Sequence, residues 1–491
     1  MYEKTSLKDR KIKIYFLMIG EKMSYTENIL KMLPDRINQR NDLMVTPPWI
    51  AKDMINLLPE EIWNKNSTFL DPACKSGIFL HEIYLKLMET QSMIQEFPDK
   101  AERREHILQN QLFGIALNPM CQLMSARTVY GTIQGENNII LIDNYINIIK
   151  NKDTKFFKEA IKEQFGEMKF NVVIGNPPYQ DESGRSSIYN KFVEKSIMLA
   201  PIISMITRDN WMNGKAFKSM RDKMMDTGCV SSIVHYPKGG EVFKNVSVTV
   251  AYFVWQKGYN SKTHYVCIRD NKKCVEQELD LMDGVLYKSE IGKSIVDKAG
   301  NKSNWTKNFN TRSYPFMDQR KRYNMESADY KDDKHNVAVM INSEKPIFVS
   351  SNHFSNIDEV YKYKVMCGVI INEASIDNQG NVLTNIKALQ PMQVASETWS
   401  LIATFDTELE AINCKKYIMT RFVRFIANQS VNGRSNVTDN TFEYVPLQDF
   451  SEHSDIDWSQ SISNIDQQLY KKYNLTEEEI AYIEKTIKPM Q

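Results

Sequence analysis

The sequence predicts a doubly wound α/β domain that is followed by a second, mixed α+β domain. The chain has 491 residues, of which 42% are hydrophobic and 25% charged, as in ordinary globular proteins. Between residues 41 and 258, short apolar runs alternate with longer amphipathic segments, which indicates a mostly parallel sheet covered by helices. After residue 258 the sequence alternates polar and apolar residues and is rich in aromatics, which favours a different kind of domain.

Seven apolar runs account for the strands of the first domain, and they are separated by segments long enough for helical crossovers. The predicted strands are Thr68–Leu70, Leu112–Leu117, Ile139–Ile142, Asn171–Ile174, Ile202–Ile206, Val230–His235 and Val248–Trp255. We expect four regions: an N-terminal helical extension (1–40), the sheet-forming domain (41–258), the mixed domain (259–450) and an acidic helical tail (451–491). In the tail, Thr476 and Glu479 have the spacing of a capping box that begins a last helix.

Charge and cysteine usage exclude several classes of protein. Lys plus Arg number 62 against 61 for Asp plus Glu, so the net charge of +1 gives no global sign of a polyanionic partner. Seven dispersed cysteines without a C-x-x-C pair predict neither a zinc site nor a disulfide framework, and they suit a reducing compartment. No apolar stretch has the roughly 20 residues of a membrane helix. We therefore expect a cytoplasmic protein that has no metal site.

The strongest motif is a strand that runs into a rigid turn. Asn171–Ile174 leads into Asn176-Pro177-Pro178-Tyr179, at the carboxyl end of the strand, where open α/β sheets bind ligands. An exocyclic amine on a planar base is a poor nucleophile, because its lone pair is delocalised into the ring. The side-chain oxygen of Asn176 and the carbonyl of Pro177 could accept its two N–H groups, and Tyr179 could stack on the ring. The motif therefore favours chemistry on an amino group.

A second motif lies about 100 residues upstream. Asp71-Pro72-Ala73-Cys74-Lys75-Ser76-Gly77 follows a predicted strand and opens a helix. A tight turn with Gly77 lets backbone approach a ligand closely. By itself this motif is weak evidence for a ligand site. Its position about 100 residues before the Asn-Pro-Pro-Tyr turn makes the evidence strong.

The two motifs together resemble the cofactor-binding and catalytic motifs of adenine-N6 DNA methyltransferases, in the γ-type order and of the kind found in restriction–modification systems. The resemblance implies a Rossmann-like methyltransferase domain that uses S-adenosylmethionine and precedes a DNA target-recognition domain. Thr46, in Val45-Thr46-Pro47-Pro48, matches the family's first cofactor motif. Asp143 would accept from the adenine amino group of the cofactor. Phe243, in segment 242–248, would hold the flipped base opposite Tyr179.

The resemblance thus implies a full set of site residues. The catalytic residues would be Asn176, Pro177, Pro178, Tyr179 and Phe243. The cofactor-binding residues would be Thr46, Asp71, Pro72, Ala73, Cys74, Gly77, Asn118, Asp143 and Asn176. The target adenine would leave the duplex, because its amino group is inaccessible inside the stack.

Three positions depart from the family pattern. Lys75 stands where the family has glycine, and its cation could meet the cofactor's carboxylate but would repel its sulfonium. Ala116 and Asn118 stand where an acidic residue normally grips the ribose, for which Asn118 is a weak substitute. Arg208 and Asp209 occupy a region where the family often has proline, and the sequence assigns them no role.

The second domain should read DNA sequence. Lys307, Arg312, Arg320, Lys321 and Arg322 alternate with aromatic residues and form one basic candidate surface, although a solvated loop explains them equally well. Arg434, with Arg421 and Arg424 nearby, forms another, because arginine suits guanine edges in the major groove. Arg421 and Arg424 could instead lie on a solvent-facing helix.

These observations lead to one hypothesis with open alternatives. The chain is predicted to be a site-specific adenine-N6 DNA methyltransferase that acts on double-stranded DNA, with a separate restriction endonuclease or specificity subunit as a possible partner, or as an orphan enzyme. One alternative is a non-catalytic or partner-dependent DNA-binding specificity subunit, which the departures at Lys75, Ala116 and Asn118 motivate. Another is methylation of RNA or of a protein amide, since the turn would position any planar amine.

Overall fold

The computed structural model describes most of the chain from residue 45 onward. The described ranges are 45–133, 135–181, 186–212, 214–243, 249–279, 289–300, 305–313, 326–340, 346–354, 357–372, 380–431 and 434–490. The predicted N-terminal helical extension (1–40) lies outside them. The chain divides into two compact units, residues 1–284 and 285–491.

The first unit is built on a nine-stranded sheet with the order β3-β2-β1-β4-β5-β7-β6-β8-β9. Its strands are β1 (Phe69–Cys74), β2 (Leu112–Ala116), β3 (Ile139–Leu141), β4 (Val172–Gly175), β5 (Ile202–Arg208), β6 (Gly228–Tyr236), β7 (Val250–Lys257), β8 (Thr263–Arg269) and β9 (Lys272–Leu279). Strands β1 to β5 are parallel, and β7 is antiparallel to β5 and β6. From β1 the strand order runs outward in both directions, so the topological switch point lies between β1 and β4.

Helices connect these strands. They are α1 (Pro48–Asn56), α2 (Ile78–Glu89), α3 (Gln91–Glu96), α4 (Lys100–Asn110), α5 (Pro119–Tyr130), α6 (Tyr145–Lys150), α7 (Thr154–Phe165), α8 (Tyr189–Ser196) and α9 (Lys218–Thr227). The strands read as nearly continuous apolar runs because helices cover them: every residue of β1, β2 and β4 is buried.

The α/β fold class predicted from the sequence is confirmed. All seven predicted strands are present, with ends that shift by a few residues. The boundary predicted at residue 258, however, cuts through the sheet, because β8 pairs with β6 and β9 pairs with β8. Most of β9 is exposed on both faces, so this hairpin has the mixed polar pattern that had suggested a second domain.

The described residues of the second unit form three small sheets and several helices. Its helices are α10 (Glu290–Ala299), α11 (Trp305–Asn308), α12 (Ile357–Val360), α13 (Glu408–Met419), α14 (Arg421–Gln429), α15 (Ile462–Lys472) and α16 (Glu477–Thr486). Its strands are β10 (Arg312–Ser313), β11 (Ser327–Ala328), β12 (Val337–Met340), β13 (Ile347–Val349), β14 (Tyr363–Gly368), β15 (Ile370–Asn372), β16 (Lys387–Leu389), β17 (Gln393–Ala395), β18 (Trp399–Phe405) and β19 (Arg434–Asn436). The sheets have the orders β10-β18-β14-β16, β11-β13-β12-β17 and β15-β19.

The acidic C-terminal region is an integral part of the second unit. The capping box is present, since the Thr476 hydroxyl accepts from the Glu479 N–H and the Glu479 carboxylate accepts from the Thr476 N–H. Leu469 of α15 and Ile483 of α16 are fully buried in the same hydrophobic core as Phe425 of α14. The region that the sequence separated as a tail at residue 451 therefore packs into the core.

Membrane-spanning helices, disulfides and metal sites were also considered in the sequence analysis. No helix among the described residues is long and apolar enough to cross a membrane. None of the seven cysteines forms a disulfide, and no group of three or more potential metal ligands occurs in the described part of the chain.

Candidate active site

The site lies at the carboxyl ends of β1 and β4, on either side of the switch point. Asp71 is on β1, and Asn176 follows directly after β4. Both side chains are almost fully buried. The two strand ends pack so closely that a Cβ atom on Gly175 would lie 2.8 Å from a carboxylate oxygen of Asp71. Glycine at position 175 is therefore required by the packing that brings the two motifs together.

A hydrogen bond fixes the orientation of the Asn176 amide. Its Nδ2 donates to Oγ1 of Thr46 at 3.2 Å, and both side chains are buried. Thr46 lies just before α1, in the segment that the sequence had linked to the cofactor. Because the amide nitrogen is used by Thr46, the amide oxygen is the end that can accept from a ligand.

The Asn-Pro-Pro-Tyr turn is buried and tied to the segment that follows it. Residues 176–179 are all buried, and the carbonyl of Tyr179 accepts from the N–H of Ile188 at 3.2 Å. The Tyr179 ring lies edge-on to Tyr189, with ring centroids 6.4 Å apart. Its hydroxyl has no hydrogen-bond partner among the described residues, and burial raises the pKa of Tyr179.

Phe243 is also buried, and it belongs to the same hydrophobic cluster as Tyr179. Residues 244–248 of the predicted late motif lie outside the described residues. The two rings that the sequence analysis predicted to hold a base thus share one hydrophobic cluster.

The Asp71 carboxylate is buried, and one backbone N–H and the charge of Lys75 act on it. Its Oδ1 accepts from the N–H of Ala73 at 3.0 Å. Burial raises the pKa of Asp71 to about 7, and the Ala73 N–H and the charge of Lys75 oppose this rise. An ionised Asp71 is therefore costly unless a cation is bound beside it.

Gly77 forms the sharp entry to α2. Its φ is +76°, and a Cβ there would lie 2.9 Å from Cα of Ser125. Only glycine combines that backbone conformation with that approach. A small cavity of about 10 Å³ lies at this turn, lined by Thr46, Asp71, Ala73, Lys75, Ser76, Gly77, Ile78, Phe79 and Asn176.

Two predicted cofactor residues of the segment from Asp71 to Gly77 do not line this cavity. Cys74 is fully buried, and its Sγ lies 3.1 Å from the Ser125 hydroxyl, so its side chain supports the packing between β1 and α5. Pro72 packs against Gly175, where a Cβ would lie 3.3 Å from its Cδ. Both residues shape the turn, whereas Asp71, Ala73 and Gly77 border the cavity.

Two larger cavities continue along the same edge of the sheet. One, of about 210 Å³, is lined by Leu117, Asn118, Ile146, Pro178, Gln180, Asp181 and Ile188. The other, of about 240 Å³, is lined by Leu117, Ile142, Asn144, Tyr145, Ile146, Asn147 and Lys150. Leu117 and Ile146 border both. The two larger cavities therefore adjoin each other, and the cavity at Asp71 is much smaller.

The residues predicted to hold the nucleoside end lie at the ends of β2 and β3, and Asn118 is the one that lines a described cavity. Asn118 lines the first large cavity and also caps α5, because its Oδ1 accepts from the Cys121 N–H at 2.9 Å. Ala116 is buried as the last residue of β2. Asp143 is exposed, between Ile142 and Asn144, which both line the second large cavity.

Arg312 and Arg434, two of the predicted DNA-contact residues of the second unit, lie in the described part of the chain. Arg312 forms an ion pair with Glu359. Arg320, Lys321 and Arg322 lie outside the described residues. The backbone of Arg434 is in β19, paired with Asn372.

Arg424 corrects an expectation, since it does not lie on a solvent-facing helix. It is fully buried, and its guanidinium donates to the carbonyls of Met419, Thr420 and Lys488. The helix α14 is covered by α15 and α16 in the same core, which the sequence had separated from it. Arg421, one turn away, is paired with Glu484 at 3.3 Å.

A buried polar network beside the site was missed by sequence reasoning. Asp209, after β5, accepts from the Thr249 hydroxyl, and its other oxygen lies 2.9 Å from Nε2 of His235. Nδ1 of His235 lies 2.8 Å from the hydroxyl of Tyr265. These residues come from four separate segments that only the strand order brings together, so no local sequence pattern marks them.

Comparisons with known proteins agree with the resemblance. Residues 110–243 match the family model "Eco57I restriction-modification methylase". An "uncharacterized adenine-specific methylase" from Mycoplasma pneumoniae is 27% identical over 334 residues, which is 54% of this chain and 78% of the relative. The resemblance to adenine-specific DNA methyltransferases that the motifs predicted is thereby confirmed.

Solved structures also resemble this chain. A modification subunit of a putative type I restriction enzyme from Vibrio vulnificus YJ016 is 14% identical, with a TM-score of 0.38 over 50% of this chain and 52% of that one. The DrdV–DNA complex is 12% identical, with a TM-score of 0.49 over 90% of this chain and 58% of that one. The chain thus spans about half the length of the solved type I subunit that it matches.

Proposed function

We propose that this chain is a site-specific DNA methyltransferase, which transfers a methyl group from S-adenosylmethionine to the N6 amino group of a flipped-out adenine. The observation that carries the proposal is the Asn176 amide, which Thr46 orients at the switch point of the sheet, where it lines a small cavity together with Asp71. The Eco57I-type match covers β2 to Phe243 and includes this turn. The setting is a restriction–modification system or an orphan enzyme.

The residues present fit S-adenosylmethionine. When bound, that cofactor supplies a methyl group on a positively charged sulfur. Asp71 would hold the ammonium of its methionine part, since a cation is what a buried carboxylate requires. Asn118, and the cavity wall on either side of Asp143, would hold the nucleoside part in the two larger cavities. Lys75 borders the methionine end, where its cation can meet the carboxylate of that part.

The turn would act on the target amine. The oxygens of Asn176 and Pro177 accept its N–H groups, which draws the nitrogen lone pair out of the ring and stabilises the positive charge that develops on nitrogen. The turn is buried, so these dipoles act in a dry site and need no reorganisation. Tyr179 and Phe243 would enclose the base. Because both rings are buried, we expect the entry of the base to reposition them.

Double-stranded DNA is the expected substrate, with the second unit as the target reader. Extrusion of the adenine is needed because a base in the stack cannot reach a buried turn. A separate restriction endonuclease or a specificity subunit would be the protein partner. Soluble, cytoplasmic expression is expected for such an enzyme.

The test is expression of the full chain in a host without adenine methylation, followed by single-molecule sequencing of the genome. One recurring methylated motif is expected with the wild type and none with Asn176→Ala. Asn110→Ala is the matched control: Asn110 is an exposed residue at the end of α4, before β2 and so at the opposite edge of the sheet, and this variant should methylate normally.

Other outcomes distinguish the alternatives. Methylation that persists in Asn176→Ala would contradict the proposed mechanism. An unmodified genome with S-adenosylmethionine binding in calorimetry would favour a partner-dependent enzyme, and an unmodified genome without binding would favour a non-catalytic DNA-binding subunit. Methyl transfer to RNA or protein alone, in extracts with labelled cofactor, would favour the remaining alternative.

A further inference from the structure

Arg208 lies on the strand next to the Asn-Pro-Pro-Tyr turn and has no part in the proposed transfer chemistry. It is the last residue of β5, which is parallel to β4. Gly175 of β4 pairs with Met205 of β5, so Pro178 and Arg208 each lie three residues beyond this pair. The two residues are therefore at the same edge of the sheet and on adjacent segments.

The carboxylate nearest in sequence to Arg208 is already engaged. Asp209 accepts from the Thr249 hydroxyl at one oxygen and lies 2.9 Å from His235 at the other. Asp209 is also almost fully buried, at 1% exposure. Among the described residues, Arg208 forms no ion pair, and its Nε is buried without a hydrogen-bond partner.

Arg208 is close enough to the proposed base site to act on two tyrosines there. Its positive charge acts on the hydroxyls of both Tyr179 and Tyr189, lowering the pKa of each against the effect of burial. The Tyr179 hydroxyl itself has no hydrogen-bond partner in the described part of the chain. Partial burial of a cation without a hydrogen-bond partner costs free energy, and a bound anion would offset that cost.

We propose that Arg208 binds a backbone phosphate of the DNA next to the target adenine. The inference rests on the proposed function, because it needs a nucleotide whose base enters the turn at Asn176. A nucleotide carries its phosphates within one sugar of its base, so a cation on the strand adjacent to the turn lies where a phosphate arrives. The arginine fork suits phosphate oxygens, which position the substrate without reading its sequence.

This role differs from that of the second unit. A phosphate contact in the catalytic unit would register the extruded nucleotide, whereas base contacts elsewhere would select the sequence. Arg208 is thus a substrate-binding residue, and its loss should weaken DNA binding equally for all sequences that contain the site.

The experiment compares Arg208→Ala and Arg208→Lys with Lys257→Ala in the full chain. Lys257 is exposed at the end of the antiparallel β7, hence at the opposite edge of the sheet from Arg208. Anisotropy measures binding to a 30-base-pair duplex that carries the motif methylated by the wild type, over a range of NaCl concentrations. For Arg208→Ala, the slope of log K against log [NaCl] should fall in magnitude by about 1. Arg208→Lys and Lys257→Ala should keep the wild-type slope.

A second readout separates base extrusion from binding. With 2-aminopurine at the target position, Arg208→Ala should give less fluorescence increase than the wild type at saturating protein, because the extruded nucleotide loses an anchor. Circular dichroism checks folding, and Arg208→Gln replaces Arg208→Ala if the alanine variant is unfolded.

The outcomes are distinct. A wild-type slope and wild-type fluorescence in a folded Arg208→Ala or Arg208→Gln variant would overturn the inference and leave the proposed function standing. A change in the calorimetric affinity for S-adenosylmethionine, with an unchanged slope, would also overturn it, because the anion would then be the cofactor's carboxylate. Absence of any methylated motif with the wild type would contradict the proposed function itself.

Discussion

The side-chain amide of Asn176 donates to the hydroxyl of Thr46 at 3.2 Å, across 130 positions of sequence. This bond joins the segment before the first helix to the turn after β4. It fixes the direction in which the amide oxygen, the acceptor, points. The orientation of the proposed catalytic oxygen therefore depends on a residue that would not contact the target base.

Thr46→Val should slow methyl transfer and leave the fold intact. Loss of one neutral hydrogen bond costs about 1 kcal/mol, so kcat should fall about fivefold. Thr46→Ser, which keeps the hydroxyl, should stay near the wild-type rate. Single-turnover methylation of a duplex measures both, and an equal loss in the two variants would argue against the orienting role.

Gly77→Ala should destabilise the protein more than Gly131→Ala. Both glycines have φ of +76°, so both variants pay about 1–2 kcal/mol for a left-handed alanine. Only position 77 adds a clash, with Ser125 Cα at 2.9 Å, while a Cβ at position 131 meets nothing within 4 Å. Urea denaturation should show an additional loss of about 1–3 kcal/mol for Gly77→Ala, and equal losses would contradict the proposed steric role.

The affinity for S-adenosylmethionine should rise with pH through about 7. The pKa of Asp71 is raised to about 7 by burial, and only the carboxylate form attracts the cofactor's ammonium. The ionised fraction changes from about one tenth at pH 6 to about nine tenths at pH 8, so binding should tighten about tenfold. Calorimetry at several pH values tests this, and Asp71→Asn should bind weakly with no such dependence.

Lys75→Met should move the midpoint of that pH dependence upward. The charge of Lys75 lowers the pKa of Asp71, so its removal raises that pKa further above its usual range. Lys52→Met is the matched control, because Lys52 is an exposed residue of α1 that does not act on Asp71. An unchanged midpoint in Lys75→Met would show that the lysine acts elsewhere in the cavity.

Arg424→Met should destabilise the protein strongly, in contrast to Arg421→Met. Arg424 is fully buried and bound to three backbone carbonyls, which would lose their donors at a cost of about 3 kcal/mol or more. Arg421 holds one partly exposed ion pair, worth about 1 kcal/mol or less. Urea midpoints compare the two. A normal midpoint with weakened DNA binding in Arg424→Met would instead support a DNA contact.

The positions of the two proposed site motifs in the fold were predictable because each motif is local and lies next to an apolar run. Buried parallel strands read as continuous hydrophobic stretches, so the ends of β1 and β4 could be placed, and with them Asp71 and Asn176. The family resemblance placed Thr46 and Asn176 in one site, but the hydrogen bond between them was not predictable. The two residues are 130 positions apart and come together only in the folded protein.

The hydrogen-bond network of Asp209 and His235 was not predicted from the sequence for a related reason. Each residue alone looks like an ordinary strand-end residue, and the antiparallel insertion of β7 between β5 and β6 creates their proximity. The burial of Arg424 could not be predicted because it depends on α15 and α16, which lie in the acidic stretch 451–491 that the sequence analysis separated as a tail.

The β8–β9 hairpin has a practical consequence for anyone who divides this protein. Strand β9 is the outer strand of the sheet and carries exposed lysine and glutamate side chains, which discourage pairing with other molecules. A fragment that stopped at residue 258 would lose this hairpin and leave β6, a nine-residue and largely buried strand, with an open edge. Such a fragment would be prone to aggregate, so an excision of the catalytic unit should keep the chain through Leu279.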